Sequence, residues 1–348
     1  MTYLIIAETY VNIYFLLLIS SIAGFFAGLL SIGGGLLVVP LLISYNIQPL
    51  VAVATVMVLV VASSTTSVIS YLKAKLIDVK LAIILATSSN IGVLIGIFIF
   101  NKLLKLGSVD NIIVYLYVIL LISLTLYIAY DLINYKFSKN GTQYNQIYRS
   151  ASNSKLILNF PVSGLKINIL YLIFLGILVG CLSAIMGIGG NIILIPILTI
   201  LLKINIRIAL ATASLQLFFT STTCLLLHSL INGNIDVTLA LILILGGTIG
   251  AYYGNWLAKK IKDYYLRVIF FLVILMLTIF FIYNNFIVNI VKNEIIRTNI
   301  LNSELSFWQS KIMWFYSEYP LSYSLIVLLM AIIVSYIISN ILNFLHKK

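Results

Sequence analysis

Charge is what this sequence lacks most. Only 9% of its 348 residues are Asp, Glu, Lys or Arg, against about a quarter in a soluble domain. No extended water-facing surface can be built from such a chain. Cysteine is nearly absent too. Cys181 and Cys224 both fall inside apolar runs, which excludes a disulfide framework and offers no metal-ligand spacing. The chain has two histidines, His228 and His346, and no acidic or basic residue at the centre of any apolar run. An intramembrane enzyme needs a nucleophile–base pair or a metal cluster within its helices. Neither can be assembled, so no catalysis, cofactor or metal is expected. Cation carriers and proton pumps place carboxylates in their helices. Their absence points to a weakly hydrated anion as cargo, bound through N–H and O–H groups. The N-terminus lacks the basic start of a cleaved signal peptide and is expected to begin outside and stay.

What is present is apolar. Hydrophobic residues make up 62% of the chain, and stretches of roughly 20 residues, long enough to cross a bilayer, recur along it. They fall at 12–44, 49–71, 79–101, 111–135, 167–202, 206–231, 236–258, 264–290 and 321–345. The net charge of +12 resides in the connecting loops, as cytoplasmic loops collect Lys and Arg; nucleic acid is not an expected partner, and the bilayer is.

Two segments repeat one another. Residues 24–40 read GFFAGLLSIGGGLLVVP and residues 180–196 read GCLSAIMGIGGNIILIP. Gly24, Ile32, Gly33, Gly34 and Pro40 match Gly180, Ile188, Gly189, Gly190 and Pro196 without a gap. Downstream, Ala54-Thr55 matches Ala211-Thr212, Ser64-Thr65-Thr66 matches Ser221-Thr222-Thr223, and Asp78-Val79 matches Asp236-Val237. The pair Gly92/Gly96 matches Gly250/Gly254. Chance similarity between apolar stretches scatters Leu and Ile matches; agreement at Gly, Pro and hydroxyl positions indicates duplication.

Paired glycine segments of this kind, each followed by an Ala-Thr helix with a Ser/Thr cluster, resemble the TauE/SafE family of sulfite and organosulfonate permeases over about residues 12–290. The resemblance implies a membrane transporter of sulfite or a sulfur-containing organic anion. The loop 136–165 and the tail after 290 are departures from it.

Glycine inside a helix costs about 1 kcal/mol relative to Ala, so the runs at 33–35 and 189–190 are expected to break the long first and fifth segments. Each broken segment either crosses once or turns back at its glycines. Single crossing distributes the 21 basic residues 11 to 10; turning back distributes them 16 to 5. The positive-inside bias favours turning back, with the N-terminus outside and loop 136–165 in the cytoplasm. The expected architecture is an all-α polytopic membrane protein with two inverted repeats, each holding a broken Gly-rich helix, and about 8 membrane segments plus a C-terminal helix. Its parts are repeat 1 (1–135), the cytoplasmic loop (136–165), repeat 2 (166–290) and an interfacial segment with the added helix (291–348), in a bacterial inner membrane.

Irregular backbone at membrane depth must line protein or a cavity, and helix N-termini attract anions. Gly33, Gly34, Gly35, Gly189, Gly190 and Asn191 are therefore the expected substrate-binding core; the competing reading is close helix packing. Ser64, Thr65, Thr66, Ser221, Thr222 and Thr223 are candidate neutral donors, unless they bond back to their own helix. Thr55, Thr212 and Gln216 are weaker candidates. For Gly92/Gly96 and Gly250/Gly254 packing is the favoured role. His228 is a candidate for proton coupling, with an interfacial hydrogen-bonding role as the simpler alternative. A secondary transporter of a small anion is the reading; a passive anion channel or a membrane scaffold are its rivals.

Overall fold

A computed structural model describes residues 2–4, 9–44, 47–105, 109–137, 157–232 and 235–282, with a few isolated positions further on. The central part of the long loop, the expected interfacial tail and most of the ninth apolar run lie outside these residues.

The chain opens with a small antiparallel hairpin, β1 (Thr2–Leu4) and β2 (Thr9–Val11). Asn12 then starts α1 (Ile13–Leu30), its side-chain oxygen accepting the Tyr14 amide at 3.0 Å. Such a cap satisfies one of the amides a helix start leaves unpaired. α1 stops at Ser31, whose φ of 52° is left-handed. After the glycines come α2 (Gly35–Ser44), α3 (Pro49–Lys73), α4 (Val79–Lys105) and α5 (Val109–Phe137).

The same order then recurs. A second hairpin, β3 (Ile157–Phe160) and β4 (Leu165–Asn168), leads through the cap Asn168 into α6 (Ile169–Met186). α6 ends at left-handed Gly187, and α7 (Asn191–Pro196) continues into a π-helical segment, Ile197–Leu201. α8 (Ile206–Asn232), α9 (Val237–Lys260) and α10 (Asp263–Ile282) complete the described core. Among the described residues, six helices are long and apolar enough to cross a membrane: α1, α3, α4, α6, α8 and α9.

The recurrence includes the hairpins, which the sequence reading did not anticipate. Gly24 and Gly180 stand 156 positions apart. The same offset relates Asn12 to Asn168, and it carries the pair Leu4–Thr9 onto Phe160–Leu165 in identical register. Leu4 and Phe160, equivalent under this offset, are both fully buried.

Two helix pairs approach at backbone distance. A Cβ placed at Gly24 or Gly28 of α1 would overlap the backbone of Gly247 or Ala251 in α9, and one at Gly250 or Gly254 would meet the Ser21 or Phe25 carbonyl of α1. The counterpart is α4 on α6, where Gly92 and Gly180 abut the carbonyls of Ile177 and Ser89. In lipid, where helix association draws on close packing rather than hydrophobic burial, small residues permit such contact. Packing was the expected role of Gly92, Gly250 and Gly254; Gly24, Gly28 and Gly180, on the facing helices, share it without having been expected to. α3 lies at the centre, with 89% of its apolar window buried, and packs on α8 and α9. Leu18, Phe98 and Met276 lie on exposed faces, at 57%, 62% and 74%, as lipid contact permits.

Candidate functional site

The two glycine loops meet near the middle of α3 and α8. A Cβ added at Gly33 would lie 3.1 Å from Val60 and 3.4 Å from Leu217; one at Gly189 would lie 2.6 Å from Leu217 and 3.2 Å from Val60. Val60 on α3 and Leu217 on α8 are fully buried and thus sit against both loops at once. Gly35 abuts the carbonyl of Gly187 from the opposite loop. Gly33, Gly189 and Gly190 have φ of 75°, 79° and 73°, a region in which an L side chain costs about 1–2 kcal/mol. Gly34 differs from Gly190 in lacking a positive φ, and a Cβ added there would first meet the end of the Leu59 side chain, at 2.8 Å.

Each loop folds back on its own helix. Gly34 faces the carbonyl of Ala23, two turns before the end of α1, and Gly190 faces that of Val179 in α6. Beyond Gly34, Leu37 and Leu41 of α2 share a cavity of about 240 Å³ with Ile19 and Phe26 of α1 and Met276 of α10. Its lining is apolar, which suits lipid chains and not an anion.

The hydroxyl clusters bond within their own helices. Ser64 and Thr65 both donate to the Val61 carbonyl, at 3.0 and 2.7 Å, and Thr66 donates to Ala62 at 3.1 Å. Ser221 and Thr222 donate to Phe218 at 3.2 and 2.7 Å, and Thr223 to Phe219 at 3.1 Å. In this conformation their protons are committed, which is the back-bonding alternative, and only their lone pairs face outward.

Thr55 and Thr212 have a different task. The Thr212 hydroxyl accepts the backbone amide of Asp78 at 3.1 Å, and the Thr55 hydroxyl accepts that of Asp236, also at 3.1 Å. Each threonine thus holds the residue that caps the start of a helix from the other repeat. Asp78 and Asp236 are buried caps of α4 and α9, accepting the amides of Leu81 and Leu239. Asp78 also receives the amide and hydroxyl of Ser163 in the β3–β4 turn, at 3.0 and 2.8 Å. The sequence showed the two aspartates as a matched pair; their contacts lie too far along the chain to be read from it.

Asn191 begins α7 in full burial. Its amide nitrogen donates to the carbonyls of Ser31 and Ala213, both at 2.8 Å, linking the two loops to α8. Gln216, also fully buried, donates to Ser89 at 2.9 Å and Thr220 at 2.8 Å. His228 is buried, with Nε2 2.9 Å from the Ala184 carbonyl and its ring edge-on to Phe100 at 5.2 Å. The first is a hydrogen bond to the main chain and the second a ring contact; neither tests proton coupling. Among the described residues no cluster of His, Cys, Asp or Glu could hold a metal.

Apolar helices with lipid-compatible faces, buried caps and two irregular loops enclosed at their centre define a multi-pass α-helical membrane protein. The profile of the sulfite exporter TauE/SafE family matches residues 16–281. The chain belongs to that family and is a transporter of the cell membrane. It is 26% identical over 259 residues to "Probable membrane transporter protein YunE" of Bacillus subtilis (strain 168), covering 71% of this chain and 89% of that protein. No solved structure matches the chain.

Proposed function

We propose that the protein is a secondary transporter of a small anion, sulfite or an organosulfonate, working by alternating access between two inverted repeats. The observation that carries the proposal is the meeting of the two glycine loops across Val60 and Leu217. Broken helices at a repeat interface are the usual site of such carriers.

Inversion is supported by which helix ends touch. Thr55, near the start of α3, bonds the start of α9; Ser70, near the end of α3, accepts Lys259 Nζ from the end of α9 at 2.8 Å. α3 and α9 therefore run the same way. Thr212 and Asp78 place the starts of α8 and α4 together in the same manner. The short corner after α3 reverses the chain into α4, so α3 and its repeat partner α8 point in opposite directions. A single crossing by each broken segment would make α3 and α9 antiparallel. The folding-back of Gly34 and Gly190 and the 16 to 5 distribution of basic residues favour the same topology.

The anion would be held by amides at the starts of α2 and α7, whose orientation suits negative charge. Val60 and Leu217 occupy the space between the loops in this conformation, so we take it as closed, with these two side chains as the barrier that withdraws on opening. The test is counterflow in proteoliposomes: vesicles loaded with unlabelled sulfite should accumulate labelled sulfite transiently against its gradient. Simple equilibration without an overshoot would indicate a channel. Failure of sulfite, thiosulfate, sulfoacetate, taurine and sulfolactate alike would overturn the substrate class.

A further inference from the structure

Arg207 sits where its charge does not help its own helix. It is the second residue of α8, and a cation in a first turn opposes the helix dipole. The side chain reaches instead to the corner between α9 and α10. Its Nη2 donates to the carbonyl of Ile261, the residue that caps α9, at 2.8 Å. Its Nε lies 3.1 Å from Oδ1 of Asp263, in the first turn of α10. Asn205 completes the corner: its Nδ2 donates to Asp263 Oδ2 at 3.2 Å, while its Oδ1 accepts the Arg207 amide at 2.9 Å.

These bonds join parts that are fastened elsewhere. α8 is tied to α4 through Thr212 and Asp78. α9 is tied to α3 at both ends, Asp236 to Thr55 and Lys259 to Ser70, and packs at backbone distance on α1. Val60 and Leu217 lie between the two groups, against the glycine loops. Arg207 precedes Leu217 by ten residues, about 15 Å along α8, so the corner bridges the groups at one edge of the molecule. The other edge has no equivalent pair. The offset of 157 that relates Thr55 to Thr212 and Val60 to Leu217 places Leu50 at the position of Arg207 and Gln48 at that of Asn205. Leu50 carries no charge, and Gln48 makes no side-chain cap.

We propose that Arg207, Asp263 and Asn205 form a latch that holds the molecule closed on the side where α8 begins and parts whenever that side opens. This rests on the alternating-access reading, in whose topology the latched side is cytoplasmic, and it makes the two closures unequal: the side without the latch opens more readily. The strength of the contact suits the task. The two charged side chains are 37% and 30% exposed, so water screens them and the pair adds little to folding. Such a contact can be broken and remade in each cycle without cost to the fold.

Accessibility of two equivalent buried positions tests the latch without any substrate. Ser67 stands seven residues beyond Val60 and Cys224 seven beyond Leu217, and both are buried. Ser67 lies toward the end of α3 that holds Lys259, the latched side, whereas Cys224 lies on α8 away from Arg207. Purified full-length protein carrying Cys181→Ala is treated with a charged methanethiosulfonate. Cys224 is followed in that background, and Ser67→Cys with Cys224→Ala added. Arg207→Gln and, separately, Asp263→Asn should speed modification of Ser67→Cys at least fivefold and leave Cys224 as slow as before or slower. Acceleration at both positions, which a merely loosened fold would give, or no acceleration at Ser67→Cys would overturn the proposal. Neither cargo nor membrane orientation enters the measurement, so its failure is distinguishable from a failure of the counterflow test.

Discussion

Thr65 and Thr222 illustrate how far residue type alone carries an argument. Hydroxyls in matching clusters of two repeats suggested ligands, yet each gives its proton to a carbonyl one turn back on its own helix. Replacing either by Val keeps the shape and removes a local bond that competes with helix geometry. Thr65→Val and Thr222→Val should therefore alter the half-saturating substrate concentration in vesicle uptake by less than threefold. A loss of tenfold or more would show that these hydroxyls turn toward the substrate. The glycines separate more sharply than the matched sequences suggest. Gly34→Ala has an ordinary φ and only the flexible Leu59 tip to displace, so it should fold with a stability change below about 1 kcal/mol. Gly190→Ala must hold a left-handed conformation and meets the Val179 carbonyl at 2.6 Å. It should cost at least about 1–2 kcal/mol, visible as a lower melting temperature in detergent. Equal behaviour of the two variants would contradict the backbone assigned to the loops.

At the scale of elements, most helices were legible because apolar runs of membrane length have few alternatives, and the two breaks because glycine runs seldom continue a helix. The hairpins were not. Strands of three and four residues carry too few positions to show a period, although the matched caps Asn12 and Asn168 already extended the repeat twelve residues before Gly24 and Gly180. The β3–β4 hairpin is fastened to the start of α4: Ser163 donates to Asp78, and Lys80 Nζ reaches the Asn159 carbonyl at 3.3 Å and lies 5.5 Å from the Phe160 ring. Asp78→Ala removes a helix cap, worth about 0.5–2 kcal/mol, together with two bonds to the turn. A double-mutant cycle with Ser163→Ala should show coupling of about 1 kcal/mol or more in melting experiments. Strict additivity would mean the hairpin rests there without holding the corner.

For the whole molecule, the bonds between chain-distant ends matter most, because they were invisible in sequence and they set direction. Thr55 to Asp236 spans 181 residues and Thr212 to Asp78 spans 134. Charge distribution alone favoured turning back at the glycines; these bonds supply an independent geometric reason. The same cross-repeat pairing also joins α1 to α9 and α4 to α6, so the units that pack together are not the halves of the sequence. Each combines the first three helices of one repeat with the fourth helix of the other, α9 or α4, and the two combinations meet at α3 and α8. Motion of one against the other would open the loops at Val60 and Leu217 to one side at a time.

The claim on which this account depends is that the repeats face opposite ways, and paired cysteine labelling measures it directly. With Cys181 and Cys224 replaced by alanine, Lys75→Cys in the α3–α4 corner and Asn234→Cys in the sequence joining α8 to α9 should react with a membrane-impermeant maleimide from opposite sides of intact cells and inverted vesicles. Lys75→Cys should be reached only from the cytoplasm and Asn234→Cys only from outside. Labelling of both from the same side would contradict the inversion and, with it, the shared transport site.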